Sequence, residues 1–367
     1  MRIGIDATPL FLRKGGIGYY AQNLLEALTR IDSKNEYLLF KTTANQGDSF
    51  LPLLTRPNVK VIQTSKHWQK WRSRREEVDL YHGTNFRLRG SGKIGNVVTI
   101  HDLAFKRFPQ FLKKQWGQSL SFLKTKRDVQ RADRVIAVSR HTAEDIVEFF
   151  KSDPRKIRVI YHGIDEGFHR GVSENAVTLV KRKFHIETPS YLLFVGTVEP
   201  RKNLPTLIRA FQYLPDLHSD FSLVLAGGFG WRYGEVVDLS RSLENRVILT
   251  GYITPEDLIS LYGGASLFVY PSFYEGFGIP LLEAMAMGVP IIASRTSSIP
   301  EVAGNAAIFF DPYSVEDLAA AISRVLMASS LVDSLRIKGK ERAKMFTWNR
   351  AAQETLSCYQ EVFFEKS

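Results

Sequence analysis

Residues 266–287, SLFVYPSFYEGFGIPLLEAMAM, contain a strand, a glycine turn and a helix in that order. Residues 266–270 form a short, apolar and β-prone run, which predicts a buried strand. Gly276 and Gly278 mark the turn, and the largely apolar residues 281–287 predict a helix. A buried strand that leads through a short loop into a helix is typical of an α/β protein with a parallel sheet.

Two carboxylates flank this turn. Glu275 follows the strand, and Glu283 lies about one turn into the predicted helix. The start of a helix offers free N–H groups and a positive dipole end, which suit an anionic ligand such as a phosphate. Carboxylates are poor phosphate ligands but good acceptors for sugar hydroxyls, so the pattern suggests a nucleotide sugar. The alternative is an ordinary glycine loop with a solvated glutamate on each side.

A second loop, residues 194–204 with the sequence FVGTVEPRKNL, joins a predicted strand to a predicted helix. It carries Arg201 and Lys202 side by side. A guanidinium beside an ammonium suits a diphosphate and the negative charge that develops on a leaving group. Because both side chains lie on a loop, we expect their replacement to leave folding intact. The two loops together favour a nucleotide-sugar site.

These motifs resemble the GT-B retaining glycosyltransferases of family 4. The resemblance is carried by the Glu275–Glu283 spacing, the GTVEPRKN loop and the glycine-rich residues 14–18, and it covers residues 1 to about 359. The mannosyl- and rhamnosyltransferase branch is the most similar. The resemblance implies two Rossmann-like, doubly wound parallel-sheet domains that face a cleft. It also implies that the second domain binds the donor and the first binds the acceptor.

The resemblance implies a role for each motif residue. Glu275 would approach the hydroxyls of the donor hexose, and Glu283 would bind the ribose. Arg201 and Lys202 would hold the diphosphate and stabilise the leaving group. Pro280 has no N–H, so it makes no amide contact in this chain. Further contacts with the sugar, the phosphates and the base would come from Phe277, Gly278, Ile279, Leu281, Tyr252 and Ile253.

Two features of the first half complete the predicted site. Gly15 and Gly16 precede a helix predicted over residues 19–29 and would let the backbone approach the diphosphate. Their spacing from the first strand is not that of a dinucleotide fingerprint, and the alternative is a plain helix start. His101 ends a predicted strand, and it is the candidate catalytic residue near the anomeric centre, with Asp102 expected to orient its ring. We expect structural roles for His82 and His162.

Both halves of the chain alternate strands with helices, as doubly wound parallel sheets do. We predict domains at residues 1–170 and 171–347, with a C-terminal helix at about 348–367 that packs back on the first domain. The hinge is expected within residues 164–189, which are polar and charged. The predicted strands are 3–6, 37–41, 59–63, 79–82, 97–101, 134–139 and 158–161, then 191–195, 222–226, 247–250, 267–270, 290–293 and 307–310.

Composition favours a two-domain cytoplasmic enzyme that uses neither a metal nor a cofactor. The chain has 367 residues, which is too long for one ordinary core. Its single cysteine, Cys358, excludes an internal disulfide and favours a reducing compartment. The chain begins with a predicted strand instead of a signal peptide, and no apolar run approaches the roughly 20 residues of a membrane span. An Asp-x-Asp motif is absent, so we expect Arg201 and Lys202 to replace a metal.

Positive charge is concentrated in the first half. Residues 1–170 hold 31 Lys and Arg against 17 Asp and Glu, a balance of +14, and the remainder holds 18 against 21, which gives the total of +11. Residues 66–75 and 105–127 combine basic and aromatic side chains, which suits an anionic membrane surface. The alternative is a solvated helix face. Nucleic acid is disfavoured, because no recognition motif accompanies the charge.

The sequence therefore predicts a retaining hexosyltransferase. GDP-mannose is the favoured donor through the branch resemblance alone, and a glycan or a lipid-linked acceptor in polysaccharide or cell-surface glycan synthesis is the expected partner. The alternatives are a transferase that uses a UDP-sugar or dTDP-rhamnose, and a GT-B nucleotide-sugar epimerase. The default mechanism is front-face transfer, in which the leaving phosphate helps to deprotonate the acceptor.

Overall fold

The chain divides into two compact units of alternating strands and helices. The computed structural model describes residues 1–11, 15–42, 52–64, 77–90, 93–111, 118–214 and 219–366. The chain passes into unit 2 after Gly163 and returns to unit 1 at Phe346, whereas the predicted boundaries followed residues 170 and 347. Unit 1 comprises Met1–Pro109, Lys114–Gly163 and Phe346–Ser367, and unit 2 comprises Gln110–Lys113 and Ile164–Met345.

Unit 1 is built on a sheet of seven parallel strands in the order β3-β2-β1-β4-β5-β6-β7. All seven predicted strands are confirmed, with ends shifted by at most two residues. Each strand is short and largely apolar, as expected where helices cover both faces of a parallel sheet. The strands are β1 (Arg2–Asp6), β2 (Glu36–Thr42), β3 (Val59–Thr64), β4 (Leu80–Gly83), β5 (Gly95–Ile100), β6 (Arg134–Ala137) and β7 (Ile157–Val159).

Unit 2 is built on a second parallel sheet of six strands in the order β10-β9-β8-β11-β12-β13. The six predicted strands are again confirmed. The strand order reverses between β8 and β11, and ligands of such sheets bind beyond the carboxyl ends of the strands at this switch point. The strands are β8 (Ser190–Val195), β9 (Phe221–Ala226), β10 (Val247–Gly251), β11 (Leu267–Tyr270), β12 (Ile291–Ser294) and β13 (Ala307–Phe310).

Helices connect the strands of both sheets. Within the described residues, no single helix is long and apolar enough to span a membrane, although α11 and α12, bent by 98°, together meet the criteria of length and composition. The helices are α1 (Gly16–Ile31), α2 (Ala104–Arg107), α3 (Gln118–Arg131), α4 (Arg140–Phe150), α5 (Glu174–Lys183), α6 (Leu204–Gln212), α7 (Gly234–Ser242), α8 (Pro255–Gly264), α9 (Ile279–Ala286), α10 (Ile299–Ala303), α11 (Val315–Met327), α12 (Ser329–Ala343) and α13 (Trp348–Lys366).

The core of unit 1 has two apolar layers, one on each face of its sheet. Tyr37 and Leu39 of β2 belong to one layer, and Leu38 and Phe40 belong to the other, because successive strand residues point to opposite faces. The C-terminal helix α13 packs against α1 and β5 and adds buried side chains to the first layer. The end of the chain is therefore part of the fold of unit 1.

Candidate active site

Two loops meet at the switch point of unit 2, one after β8 and one after β11. Arg201 and Lys202 lie in a 3₁₀ turn at Pro200–Lys202 that follows β8. Asn203 ends this turn with φ of 54°, a left-handed conformation that Asn tolerates better than most residues. Its Nδ2 donates to the carbonyl oxygens of Pro271 at 3.1 Å and Pro312 at 2.8 Å. The asparagine of the GTVEPRKN motif thus ties the first loop to the second.

The loop after β11 is held by a third segment, which follows β12. The N–H of Glu275 donates to Oγ of Ser297 at 2.9 Å. Oγ of Ser298 lies 3.0 Å from the carbonyl oxygen of Glu275 and 2.9 Å from that of Phe277, and it donates to this pair of carbonyls. Gly278 has φ of 103° and leads into α9, so a side chain there would be strained. Sequence reasoning missed both serines, because nothing in their spacing indicates this contact.

Four acidic and basic side chains meet at this point, and we call them the charged cluster: Glu199, Arg201, Lys202 and Glu275. Nζ of Lys202 lies 2.5 Å from Oε1 of Glu275, and Nη1 of Arg201 lies 2.9 Å from Oε2 of the same carboxylate. Nη2 of Arg201 also lies 2.8 Å from Oε1 of Glu199. The side chains of Lys202 and Glu275 are only 9% and 8% exposed. The structure therefore brings together three predicted site residues and adds Glu199, which sequence reasoning did not select.

The charged cluster keeps Glu275 ionised. Burial raises the pKa of the Glu275 carboxyl, but the charges of Lys202 and Arg201 more than offset it and bring the pKa to about 2. Burial lowers the pKa of the Lys202 ammonium, and Glu275 opposes that change. A carboxylate with so low a pKa is a hydrogen-bond acceptor at neutral pH and a poor general base.

Glu283 differs from Glu275 in its hydrogen-bond partner and in the direction of its pKa shift. It is the fifth residue of α9, as predicted, and the hydroxyl of Tyr262 donates to its Oε2 at 2.8 Å. Burial raises the pKa of the Glu283 carboxyl to about 7, while the hydrogen bond from Tyr262 acts in the opposite direction and Asp165 adds to the rise. The two glutamates of the motif thus have opposite pKa shifts.

The other predicted contacts of unit 2 differ in what they offer a ligand. Ile279 is the first residue of α9, Gly278 is its N-cap and Phe277 precedes the cap; the first N–H groups of a helix have no partner within the helix. Tyr252 follows β10 and is 64% exposed, and Ile253 beside it is partly buried. Leu281 is fully buried, and its N–H donates to the carbonyl oxygen of Gly278. Its side chain and its N–H are therefore both engaged within unit 2.

Gly15 and Gly16 lie at the start of α1 in unit 1. The helix begins at Gly16, three residues before the predicted start, and Gly15 is its N-cap in an extended conformation. A Cβ atom built on either glycine would meet no heavy atom of the described residues within 4 Å. The packing of unit 1 therefore does not require glycine at these positions, which leaves room for a ligand beside the backbone.

His101 follows β5 directly and is buried in unit 1. Its Nε2 lies 2.8 Å from the carbonyl oxygen of Thr84 and must donate, because a carbonyl only accepts. Burial lowers the pKa of the His101 imidazole, so the ring is neutral and Nδ1 is an acceptor. Asp102 was expected to orient this ring, but its Oδ1 accepts from the N–H of Ala104 at 3.1 Å. The carbonyl of Thr84 orients the ring instead, and sequence reasoning did not identify it.

His82 has the surroundings of a structural histidine. Its Nδ1 lies 2.6 Å from the hydroxyl of Tyr359, and its Nε2 lies 2.8 Å from Oγ1 of Thr99. The ring is fully buried, and burial lowers its pKa to about 3. This arrangement agrees with the structural role expected for His82.

The burial of Lys202 changes one expectation. Its position on a loop suggested that its replacement would leave folding intact, but its ammonium compensates a buried carboxylate. We therefore predict that Lys202→Met lowers the free energy of unfolding by about 3 kcal/mol, because Glu275 loses one of its two cations. Much of the loss should be recovered in Lys202→Met/Glu275→Gln, which removes the buried charge. Urea denaturation of the three variants measures both effects.

Lys183→Met is the matched control for this prediction. Nζ of Lys183 lies 2.6 Å from Oδ2 of Asp257, but the lysine side chain is 55% exposed. An exposed ion pair contributes at most about 1 kcal/mol, so this variant should be close to wild type. Equal losses from Lys183→Met and Lys202→Met would contradict the prediction.

Glu283 gives a second prediction, on the pH dependence of stability. An unfolded glutamate releases its proton near pH 4.3, whereas the folded protein keeps it until about pH 7. The contribution of Glu283 to stability therefore falls as the pH rises between these values and is constant above them. Gln carries no charge, so the melting temperature of Glu283→Gln relative to wild type should rise over the same interval and then level off.

Thermal melts between about pH 5 and pH 8 measure this difference. Glu316→Gln, at an exposed position on α11, is the control for the removal of a surface carboxylate. A difference for Glu283→Gln that is constant over the whole range would show that its carboxyl does not titrate as described.

Comparison with known proteins agrees with this fold. Residues 14–168 match the family described as Glycosyltransferase Family 4, and residues 178–342 match the one described as Glycosyl transferases group 1. The chain is 32% identical to O-antigen chain mannosyltransferase B of Escherichia coli, with 98% of this chain and 99% of the relative covered.

Solved structures share the fold over the whole chain. Sucrose-phosphate synthase from Thermosynechococcus elongatus has a TM-score of 0.78 at 21% identity, with 99% of each chain covered. HepE of Anabaena in complex with UDP and glucose has a TM-score of 0.74 at 18% identity, with 97% of this chain and 99% of that chain covered. Both values support the GT-B architecture. The two family matches and the full-length relative show that the chain is a glycosyltransferase that belongs to family 4.

Proposed function

We propose that this glycosyltransferase is a retaining mannosyltransferase. It would move mannose from GDP-mannose to a glycan or lipid-linked acceptor in the synthesis of a polysaccharide. The choice of mannose and of a polysaccharide acceptor rests on the similarity to O-antigen chain mannosyltransferase B over nearly the full length of both chains. The choice of GDP rests on the resemblance to the mannosyltransferase branch.

The observation that carries the donor site is the charged cluster at the switch point of unit 2. Arg201 and Lys202 would bind the diphosphate, together with the N–H groups of Phe277, Gly278 and Ile279 at the start of α9. The diphosphate competes with Glu275 for the two cations. The Glu275 carboxylate is then available to accept hydrogen bonds from the hexose hydroxyls, and its low pKa keeps it in the accepting form.

Transfer would proceed on one face of the sugar. The bond between the anomeric carbon and the phosphate oxygen breaks, the acceptor oxygen bonds to the same face, and its proton passes to the leaving phosphate. Arg201 and Lys202 stabilise the negative charge on the nucleotide diphosphate, so we propose that no metal ion is needed. His101 would accept a hydrogen bond from the donor sugar at Nδ1, since its Nε2 is held by Thr84.

A nucleotide screen tests the donor. GDP should raise the melting temperature by several degrees at a concentration far above its Kd, because a ligand that binds only the folded state stabilises it. UDP and dTDP should have a smaller effect. Transfer of labelled mannose from GDP-mannose to a lipid-linked glycan acceptor should follow. A larger shift with UDP or dTDP would instead favour a UDP-sugar or dTDP-rhamnose donor.

Glu275→Gln is the matched variant for this assay. It should lower turnover about 100-fold, because it removes a contact with the reacting sugar. It should not weaken GDP binding, because the diphosphate then no longer competes with a carboxylate for Arg201 and Lys202. Glu283→Gln should mainly weaken GDP binding. Incubation with the donor alone distinguishes a transferase from an epimerase. Formation of an epimer of the donor sugar would favour an epimerase.

We also propose that unit 1 docks on an anionic membrane surface. Of the two basic and aromatic stretches in the sequence, residues 66–75 and 112–117 lie outside the described residues. In the described part, α3 exposes Lys124 and Arg127 one turn apart, next to Leu123, which is 57% exposed. Exposed cations around an apolar side chain suit a surface of anionic lipid headgroups.

Sedimentation with vesicles tests this proposal. The protein should bind vesicles that contain phosphatidylglycerol more tightly than neutral ones, and salt should weaken the binding. Lys124→Glu/Arg127→Glu should reduce binding at least tenfold, since each basic group near such a surface contributes about 1 kcal/mol. Arg336→Glu/Lys338→Glu on α12 is the control. Equal binding to both kinds of vesicle would contradict the proposal.

A further inference from the structure

The two segments through which the chain leaves and re-enters unit 1 lie against each other. A Cβ atom on Gly163 would stand 2.1 Å from the backbone N of Trp348 and 2.5 Å from the carbonyl carbon of Thr347. The rings of Tyr161 and Phe346 meet edge to face, with centroids 5.7 Å apart. No side chain fits between the two backbones at Gly163, so the segments have a fixed separation.

This contact places His162 beside the candidate catalytic histidine, with Trp348 stacked on His162. The rings of His162 and Trp348 are stacked, with centroids 5.8 Å apart and an interplanar angle of 24°. His162 lies 4.9 Å from the ring of Tyr20 and 6.0 Å from that of His101. Tyr20 meets His101 edge-on at 4.7 Å. We call Tyr20, His101, His162 and Trp348 the ring cluster, and all four side chains are buried.

The ring cluster restricts how the His101 imidazole can turn. The hydrogen bond to the Thr84 carbonyl holds Nε2, but rotation of the ring about its Cβ–Cγ bond would still displace Nδ1. Tyr20 blocks this rotation on one side, and its hydroxyl is held 2.9 Å from Oγ1 of Thr99. His162 blocks the rotation of the His101 ring on another side, and the His162 ring is itself stacked on Trp348. Aromatic pairs at these distances have preferred orientations, so the packing selects one position for Nδ1.

We infer that His162 and Trp348 are positioning residues that hold His101 for sugar transfer, and that the contact at Gly163 sets their place. The inference rests on the proposed function, which gives His101 its role at the donor sugar. A displaced catalytic group slows the reaction step without weakening a ligand that is bound elsewhere. The nucleotide is assigned to side chains of unit 2, so its affinity should not change.

Trp348→Leu is the main test, because it keeps an apolar side chain and removes the ring. We expect turnover to fall about tenfold or more while the Kd for GDP stays the same, and we expect Trp348→Phe to restore most of the turnover. In a His101→Ala background, Trp348→Leu should cause no further loss, because a residue that acts through His101 has nothing left to position.

Gly163→Ala provides an independent test, since it forces the two segments apart without changing a side chain of the ring cluster. It should lower turnover as Trp348→Leu does, and its effect should also vanish in the His101→Ala background. Gly234→Ala is its control, because a Cβ atom there, at the first position of α7, meets no heavy atom within 4 Å. Thermal melts show whether each variant is folded.

The outcomes separate the inference from the proposed function. Suppose that His101→Ala lowers turnover and that the loss in the double variant equals the product of the two single losses. The inference is then overturned and the role of His101 stands. If His101→Ala leaves turnover unchanged, both the role of His101 and the inference are overturned. If Gly163→Ala matches Gly234→Ala in turnover, the contact at Gly163 does not set the position.

Discussion

The ion pair between Lys202 and Glu275 is the interaction on which the site of unit 2 depends. It joins the loop after β8 to the loop after β11, at the point where the strand order reverses. Removing two charges from water is costly, and the pair is favourable only with close geometry and additional hydrogen bonds. Arg201 supplies them by contacting both Glu275 and Glu199. The loops are therefore held in place by groups that a phosphate can also bind.

The two glutamates of the same motif show how environment decides chemistry. Glu275 faces two cations and remains ionised, whereas Glu283 faces a tyrosine hydroxyl and has a pKa of about 7. In unit 1, burial makes His101 neutral and leaves one ring nitrogen as an acceptor. A carboxylate and a neutral imidazole that both accept hydrogen bonds are suited to binding sugar hydroxyls, and neither is arranged as a strong general base.

Much of this protein could be predicted from residue patterns within short windows. Apolar runs such as residues 191–195 and 267–270 gave strands in the right places, because a strand buried on both faces needs apolar side chains throughout. The strand–loop–helix order then located Arg201, Lys202 and Glu275 beyond strand ends. Among the strand and helix boundaries named above, the least accurate was the start of α1, at Gly16, since glycine carries no helix signal of its own.

Residue patterns alone were enough to predict the two doubly wound sheets and the loops that carry the candidate site. Which side chains meet at those loops followed only from the folded chain. Three of these contacts join residues from different segments of the chain: Lys202 with Glu275, Ser297 with Glu275, and Thr84 with His101. The stacking of Trp348 on His162 is of the same kind. Local patterns report a residue's own strand or helix, but burial, partners and pKa depend on what other segments bring to the same place.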